Sequence, residues 1–274
     1  MKNILKAYIT FLFILIWKNS FSQINTSARA SGMSGTCLTL ADVLSTHQNP
    51  AQNISGESIS TAINASRYFN IAELNSITGS VLYPINKKHA AAFHLFRIGS
   101  KDFYDQEFAL SYGLILSQKI KIGIQLERKS KFYQQETQIS ISCWTSTIGL
   151  SSMPLPWLQL GASVSNPDSP KWNNQQRTIL PGIIRIGTRV NFSKNTQLYS
   201  QFNKTKSLPG SFHTGLEYSP APLLQFRTGV STNPFKQSFG FSVIKKNTRI
   251  DFALVNHYPL GMSPGIGIQH KFQR

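Results

Sequence analysis

Apolar and polar side chains alternate repeatedly along this sequence, and this pattern limits the folds that the chain can adopt. From residue 58 onward, short segments place an apolar residue at every second position, with small or charged residues between. The segments KIKIGIQLE (119–127), IRIGTRVNF (184–192) and SFHTGLEY (211–218) show it most clearly. Because successive side chains of a β-strand point to opposite faces, the pattern predicts strands with one apolar and one polar face.

About fourteen such segments follow one another along the chain. The 215 positions from 58 to 272 allow about 15 residues per strand and connection, enough for a tilted membrane-crossing strand of roughly 9–11 residues. The predicted starts lie near Ser58, Ile71, His89, Gln106, Ile120, Thr137, Trp157, Pro181, Thr196, Ser211, Leu223, Lys236, Thr248 and Gly265.

The predicted connections alternate in length. Short ones are expected at 117–119, 193–195, 220–222 and 246–247, and longer ones at 100–105, 129–136, 166–180, 204–210 and 256–264. Short turns at one end and longer loops at the other are typical of outer-membrane barrels. The sequence therefore predicts an all-β fold, an antiparallel transmembrane β-barrel of about fourteen strands, with both termini on the short-turn side.

A soluble secreted β-sandwich shares the alternation and remains an alternative. The barrel is favoured because aromatic residues lie near predicted strand ends, as in an interfacial girdle. These residues are Trp157, Phe192, Phe212 and Tyr218. The last strand is also amphipathic, with Ile266, Ile268 and Phe272 on one face.

The N-terminus has the features of an export signal. Residues 1–22 combine Lys2 and Lys6 with an apolar run that is short for a spanning helix, and Ser20 and Ser22 suit cleavage after residue 22. We therefore expect a protein of the outer membrane of a Gram-negative bacterium. The chain carries 28 Lys+Arg against 11 Asp+Glu, a net charge of +17. For an exported chain this charge suits outer-membrane lipid or acidic solutes as partners, rather than nucleic acid.

A barrel of this size has a lumen too wide for wall side chains to fill, so part of the chain should plug it. Residues 23–55 are the candidate hatch, ahead of a barrel from 56 to 274. They read Ala28-Arg29-Ala30-Ser31-Gly32-Met33-Ser34-Gly35, then Asp42, then Asn49-Pro50-Ala51. This pattern resembles the start of the FadL-like outer-membrane channel superfamily, which includes the type IX secretion barrels PorV and PorQ.

That resemblance implies a luminal hatch followed by fourteen strands. The hatch residues it points to are Arg29, Gly32, Gly35, Asp42, Asn49, Pro50 and Ala51. It implies a channel for small hydrophobic or amphipathic compounds or, alternatively, a carrier or scaffold that binds a secretion-system protein. Ser34 departs from the usual Gly, and the loops are shorter than in members that bind hydrophobic ligands.

Charged residues of inward parity form the second candidate site, a luminal network. Its members are Arg185, Arg189, Arg227, Arg249, Glu127, Glu217 and Asp251. They either attract an anionic headgroup or, as we favour, form salt bridges between wall and hatch. No catalytic set, metal ligand set or cofactor motif is found, so we expect no enzyme; an outer-membrane lipid hydrolase is a remote alternative. Cys143 shares its parity with Ile139 and Ile141, which predicts a lipid-facing thiol.

Overall fold

The computed structural model describes most of the chain. The described residues are 27–53, 58–134, 138–172, 179–206 and 208–272. The expected signal peptide, residues 1–22, lies outside them. Among the described residues, no helix has the length and apolar character needed to cross a membrane.

Fourteen antiparallel strands form one closed barrel in which each strand pairs with its neighbours in sequence. The barrel closes where β1 pairs with β14, from Ser60 opposite Lys271 to Ser66 opposite Gly265. The strands are β1 Ser60–Arg67, β2 Asn75–Pro84, β3 His89–Gly99, β4 Phe103–Ser117, β5 Ile120–Gln134, β6 Gln138–Leu155, β7 Leu158–Ser165, β8 Ile183–Asn191, β9 Thr196–Thr205, β10 Ser211–Ala221, β11 Leu224–Ser231, β12 Lys236–Lys245, β13 Thr248–His257 and β14 Gly261–Lys271.

This confirms the predicted fold class and strand number. The starts of β3, β5, β9, β10, β12 and β13 coincide with the predicted ones, and the largest difference, at β2 and β14, is four residues. At β2 the difference arises because residues 68–74 form two short 3-10 turns before the strand begins.

The alternation places apolar side chains on the outside of the barrel and polar ones inside. Ile124 and Leu126 are 55% and 53% exposed, whereas Gln125 and Glu127 between them are almost fully buried. A water-soluble protein has the reverse arrangement, with apolar side chains in its core. The same outward set continues around the wall with Ile63, Leu110, Trp144, Ile148, Ile186 and Phe239.

The two ends of the barrel differ in their connections. We call the end that holds Ser60 and Lys271 the terminal end; its connections are 85–88, 118–119, 156–157, 192–195, 222–223 and 246–247. At the opposite end, residues 68–74 and 166–182 form longer connections. The prediction of long loops at 100–105, 129–136 and 256–264 is wrong in part, because strands occupy much of these three ranges.

The extension of β4 and β5 has a clear cause in cross-strand contacts. Tyr104 stacks on Phe132 with ring centroids 4.9 Å apart. Beside them Lys131 Nζ lies 3.1 Å from Asp105 Oδ2. Polar residues that read as a loop in the sequence therefore pair across a strand ladder.

The prediction that Cys143 faces lipid is wrong. On β6 the outward residues include Trp144 and Ile148, so Cys143 points inward and is 6% exposed. It packs with Ile141 and Trp172, which the 166–182 connection brings over this part of β6. The parity assignment was wrong because Ile139 and Ile141 are apolar although they lie on the inward face of β6. On that face Trp172 packs against Ile141.

Candidate functional site

Residues 27–53 form an inner segment that lies within the barrel. It contains one short helix, α1 (Ala28–Ser31), and 3-10 turns at Leu44–His47 and Pro50–Asn53. Every residue of the segment is buried except Ala41, which is exposed, and His47, which is partly exposed. An aperiodic stretch with many hydroxyl groups is thus one of the most enclosed parts of the described chain.

Facing glycines in the wall make room for the backbone of the inner segment. Gly215 on β10 lies opposite Gly229 on β11, and Met33 fits against both. A Cβ atom on Gly229 would lie 2.8 Å from Met33 Cα, and one on Gly215 would lie 3.0 Å from Met33 Cγ. The wall has no space for larger residues here unless the segment moves.

Facing wall glycines also make room for the Asn49-Pro50-Ala51 turn. Gly123 on β5 faces Gly149 on β6, and a Cβ on Gly123 would lie 2.5 Å from Pro50 O. Asn49 Nδ2 donates to the carbonyls of Leu38 at 2.8 Å and Leu150 at 3.2 Å. Asn49 therefore ties the turn both to the inner segment and to β6. A third facing pair, Gly161 and Gly187, lies against Leu38.

Ser34 and Gly35, at the end of the motif that begins at Ala28, show why small residues occur there. Gly35 has φ +89°, in the left-handed region that favours glycine. Ser34 also has a positive φ, +53°, where the resembling family usually has Gly. Its backbone N–H donates to Ser238 Oγ at 2.7 Å, and its Oγ lies 2.9 Å from the same atom. These bonds offset the conformational cost of serine.

Arg29 connects the inner segment to an ion-pair chain on the wall. Its Nη2 and Nε donate to the two carboxylate oxygens of Glu217 at 2.7 and 2.9 Å. Glu217 also pairs with Arg227 at 2.6 Å, and Arg227 Nη1 lies 3.1 Å from Asp251 Oδ1. Burial lowers the pKa of Arg29, but the bond to Glu217 outweighs it and raises the pKa above its usual range.

The chain of charges returns to the inner segment through Arg249. Its Nε lies 2.9 Å from Asp251 Oδ2, and its Nη2 lies 3.1 Å from Asp42 Oδ2. Ser27 Oγ donates to the same oxygen of Asp42 at 3.0 Å. We call this set the arginine ring: Arg29, Arg227 and Arg249 with Asp42, Glu217 and Asp251. Its three positive and three negative charges balance, which a buried network needs.

A second cluster holds the other half of the segment, and we call it the histidine cluster. His47 Nε2 lies 3.3 Å from Glu107 Oε2, and Gln125 Nε2 donates to the His47 carbonyl at 3.0 Å. Lys129 Nζ lies 3.0 Å from both Glu107 and Glu127. His47, Glu107 and Glu127 are close enough to share a metal ion, but the Lys129 ammonium already supplies the positive charge between the carboxylates.

The structure does not bring every predicted charge into one network. Glu127 belongs to the histidine cluster instead of the arginine ring. Arg185 is buried, and its Nη1 donates to Ser165 Oγ at 2.8 Å. Among the described residues no carboxylate lies within 4.0 Å of Arg185 or Arg189. Arg29 and Asp42, which were identified from the hatch motif, are the members that link segment to wall.

Neutral side chains of the wall also bind the segment, and the sequence reasoning missed them. Gln201 Oε1 accepts hydrogen bonds from the backbone N–H groups of Cys37 and Leu38 at 3.0 and 3.1 Å. Asn64 Oδ1 accepts from the N–H of Ala28 at 2.8 Å. Their inward parity was the available signal, but amides on a polar face carry no charge pattern that distinguishes them.

The inner segment packs closely against the wall. A crevice of about 10 Å³, the size of one water molecule, is lined by Ser31, Ser66, Tyr68, Lys236, Val255, His257, Ser263 and Gly265. Cys37 is 2% exposed, and burial raises the pKa of its thiol to about 12. In this conformation the inner segment fills the barrel at its level.

Comparison with known proteins gives matches at the level of structure. No protein-family model matches the chain, and no curated sequence matches it. The CymD monoaromatic hydrocarbon channel superimposes with a TM-score of 0.71 at 14% identity, over 93% of this chain and 100% of that one. A Pseudomonas aeruginosa FadL homologue gives 0.70 at 10% identity, over 93% and 100%.

The toluene transporter TbuX of Ralstonia pickettii is a third similar structure. Its TM-score is 0.65 at 13% identity, over 91% of this chain and 98% of that one. Likeness at such low identity concerns the fold. The chain therefore has the closed fourteen-stranded barrel fold of the FadL-type channels.

Proposed function

We propose that the protein is an outer-membrane channel for small hydrophobic or amphipathic compounds, gated by the inner segment. The apolar outer face of the barrel supports its insertion in a membrane, where every strand edge must be paired. The FadL-type neighbours are described as a monoaromatic hydrocarbon channel and a toluene transporter, which supports this class of solute.

The main support for this proposal is that a separate segment, residues 27–53, occupies the lumen. Wall glycines, which cannot fill a barrel themselves, are matched by a separate segment held through hydrogen bonds and ion pairs. Such contacts can be exchanged for contacts with water when the segment shifts. A fourteen-stranded barrel is too wide to be filled by its own wall side chains, so a movement of the segment would open the lumen.

Uptake by whole cells tests the proposal. Cells that produce the protein should take up radiolabelled toluene faster than cells with an empty vector, and a small amphipathic acid should compete. Outer-membrane fractionation of the same cells shows whether the protein is inserted. Inserted protein with no gain in uptake of either solute would contradict the channel.

A second candidate is a scaffold of the type IX kind that binds a secretion partner and transports nothing. The burial of nearly every residue from 27 to 53 within the barrel favours it. The scaffold predicts a protein recovered in stoichiometric amount when the barrel is purified from its native membrane. The channel predicts uptake without such a partner.

A further inference from the structure

Two arginines of β8 carry positive charge that the ion pairs of the lumen leave unmatched. Arg185 and Arg189 share the inward parity of this strand, and among the described residues no carboxylate lies within 4.0 Å of either. The arginine ring and the histidine cluster differ, because their arginines and their lysine meet carboxylates at 3.1 Å or less. The β8 side of the lumen therefore carries charge without a direct counter-charge.

Arg185 has buried surroundings that use only part of its hydrogen-bonding capacity. It is 8% exposed, and its Nη1 donates to Ser165 Oγ at 2.8 Å. Ser163 lies directly opposite Arg185 on β7. Within the part of the chain that the structure describes, the buried Ser163 Oγ and Arg185 Nε have no hydrogen-bond partner. Two donors on adjacent strands are thus available to an acceptor that enters the lumen.

Glu127 does not neutralise this arginine directly. Thr147 Oγ1 lies 2.7 Å from Glu127 Oε1 and 2.9 Å from Ser165 Oγ, so two hydroxyl groups separate the carboxylate from the guanidinium. Glu127 pairs instead with Lys129 at 3.0 Å. Because a buried charge is costly unless an opposite charge meets it, Arg185 is suited to an anion from outside the described chain.

A slot occupied by Leu38 lies between the two arginines. Gly187, midway between them on β8, faces Gly161 on β7, and Leu38 packs over this pair. A Cβ on Gly161 would lie 3.3 Å from Leu38 Cγ, and one on Gly187 would lie 3.3 Å from Leu38 Cδ2. Four residues of a strand span roughly 13 Å. Withdrawal of Leu38 would therefore open a space of that length with an arginine at each end.

We infer that this side of the lumen selects small organic anions, with the anionic group on Arg185 and Ser163 and the apolar body in the slot that Leu38 vacates. Arg189, on the other side of Leu38, receives the anionic group as the solute moves on. The inference rests on the proposed function and deepens it by naming the charge of the solute. A neutral hydrocarbon fills the slot but leaves Arg185 without a counter-ion, and a halide leaves the slot empty.

Equilibrium dialysis with radiolabelled benzenesulfonate tests the site, because this aromatic probe keeps its negative charge at neutral pH. The full protein is used in detergent, and its fold is checked by heat-modifiable gel mobility. We expect saturable binding, and a loss of affinity of at least about tenfold in Arg185→Gln, the scale of one hydrogen bond to a charged group. Arg189→Gln should have a smaller effect, because Leu38 separates Arg189 from the site.

Lys194→Gln is the matched control, since it removes an exposed lysine from the connection that follows β8. It should leave the affinity within about twofold of the parent, because salt screens exposed charges. Thermal unfolding separates binding from a structural role: Arg185→Gln should not lower the Tm, whereas a structural salt-bridge residue would. No saturable binding in the parent, or an equal loss in Arg185→Gln and Lys194→Gln, would overturn the inference.

Competition and uptake keep this inference distinct from the proposed function. Benzyltrimethylammonium, an aromatic cation, should not displace the probe; displacement by it, or by an equal concentration of chloride, contradicts selection of organic anions. Toluene uptake by cells without Arg185-dependent binding of benzenesulfonate contradicts this inference alone. Arg185-dependent binding in a protein that gives cells no uptake of either solute contradicts the channel and supports the anion site.

Discussion

The two anchors of the inner segment differ in how firmly they hold it. The arginine ring joins Arg29 to Glu217 through side chains that are 10% and 3% exposed, and Asp42 to Arg249 through side chains that are 2% and 13% exposed. The histidine cluster joins His47 to Glu107 through side chains that are 13% and 22% exposed, at 3.3 Å. Water weakens the second contact more than the first.

The chemistry of the anchors differs in the same direction. Arg29 makes two parallel hydrogen bonds to the Glu217 carboxylate, whereas His47 makes a single contact with the carboxylate of Glu107. The contrast suggests that the half of the segment near His47 is released first and that the half near Arg29 stays docked. Three substitutions test whether the two anchors differ in this way.

The largest effect is expected for Glu217→Gln. It leaves Arg29 and Arg227 without their shared carboxylate in a buried site, which should destabilise docking of the segment by roughly 3–5 kcal/mol. The measurement is the rate of maleimide labelling of Cys37 in a Cys143→Ser background, because the buried Cys37 thiol reacts only when the segment moves.

Asp105→Asn is the matched control for this substitution. It breaks the ion pair between Lys131 and Asp105, whose side chains are 33% and 37% exposed respectively. The loss of folding free energy should be at most about 1 kcal/mol. Labelling of Cys37 as slow in Glu217→Gln as in Asp105→Asn would show that the arginine ring does not hold the segment.

An intermediate effect is expected for Gly123→Ala. Its new methyl group would lie 2.5 Å from Pro50 O, and such overpacking costs about 1–3 kcal/mol. Gly79→Ala is the control, since a Cβ there meets nothing within 4 Å. We expect faster Cys37 labelling in Gly123→Ala alone; equal rates in the two variants would contradict the close fit between turn and wall.

The smallest effect is expected for Glu107→Gln in the histidine cluster. Lys129 keeps Glu127 as a partner, so the loss should be about 1 kcal/mol. Hydrogen exchange should show faster opening at Thr46 and His47 with little change at Arg29. A larger effect here than in Glu217→Gln would reverse the proposed order of release.

The fold could be predicted from sequence because alternation is a local signal that a barrel repeats many times. The starts of β3 at His89 and β5 at Ile120 followed from it directly. The extension of β5 to Gln134 did not, because its end is stabilised by pairing with residues of β4 that lie far away in sequence. The prediction that Cys143 faces lipid was wrong for a similar reason, since Trp172, which is distant in sequence, packs against it.

The candidate site was predictable only in outline. The motif around Arg29 and the Asn49-Pro50-Ala51 turn pointed to a segment inside the barrel, and parity assigned Glu217 and Arg227 to the lumen. Which charges meet depends on strand register, which sets Glu217 opposite Arg227 and keeps Arg185 apart from both. Gln201 shows the remaining gap, because a buried amide looks like any other polar residue until its partners are known.

Single-channel conductance in planar bilayers shows directly whether the inner segment closes the barrel. The intact protein should show no steady conductance, because its lumen is filled at the level of the segment. Deletion of residues 24–52 should produce long-lived open channels, provided that the variant still folds, as judged by heat-modifiable gel mobility. A folded deletion variant that remains as closed as the parent would show that the inner segment does not close the barrel.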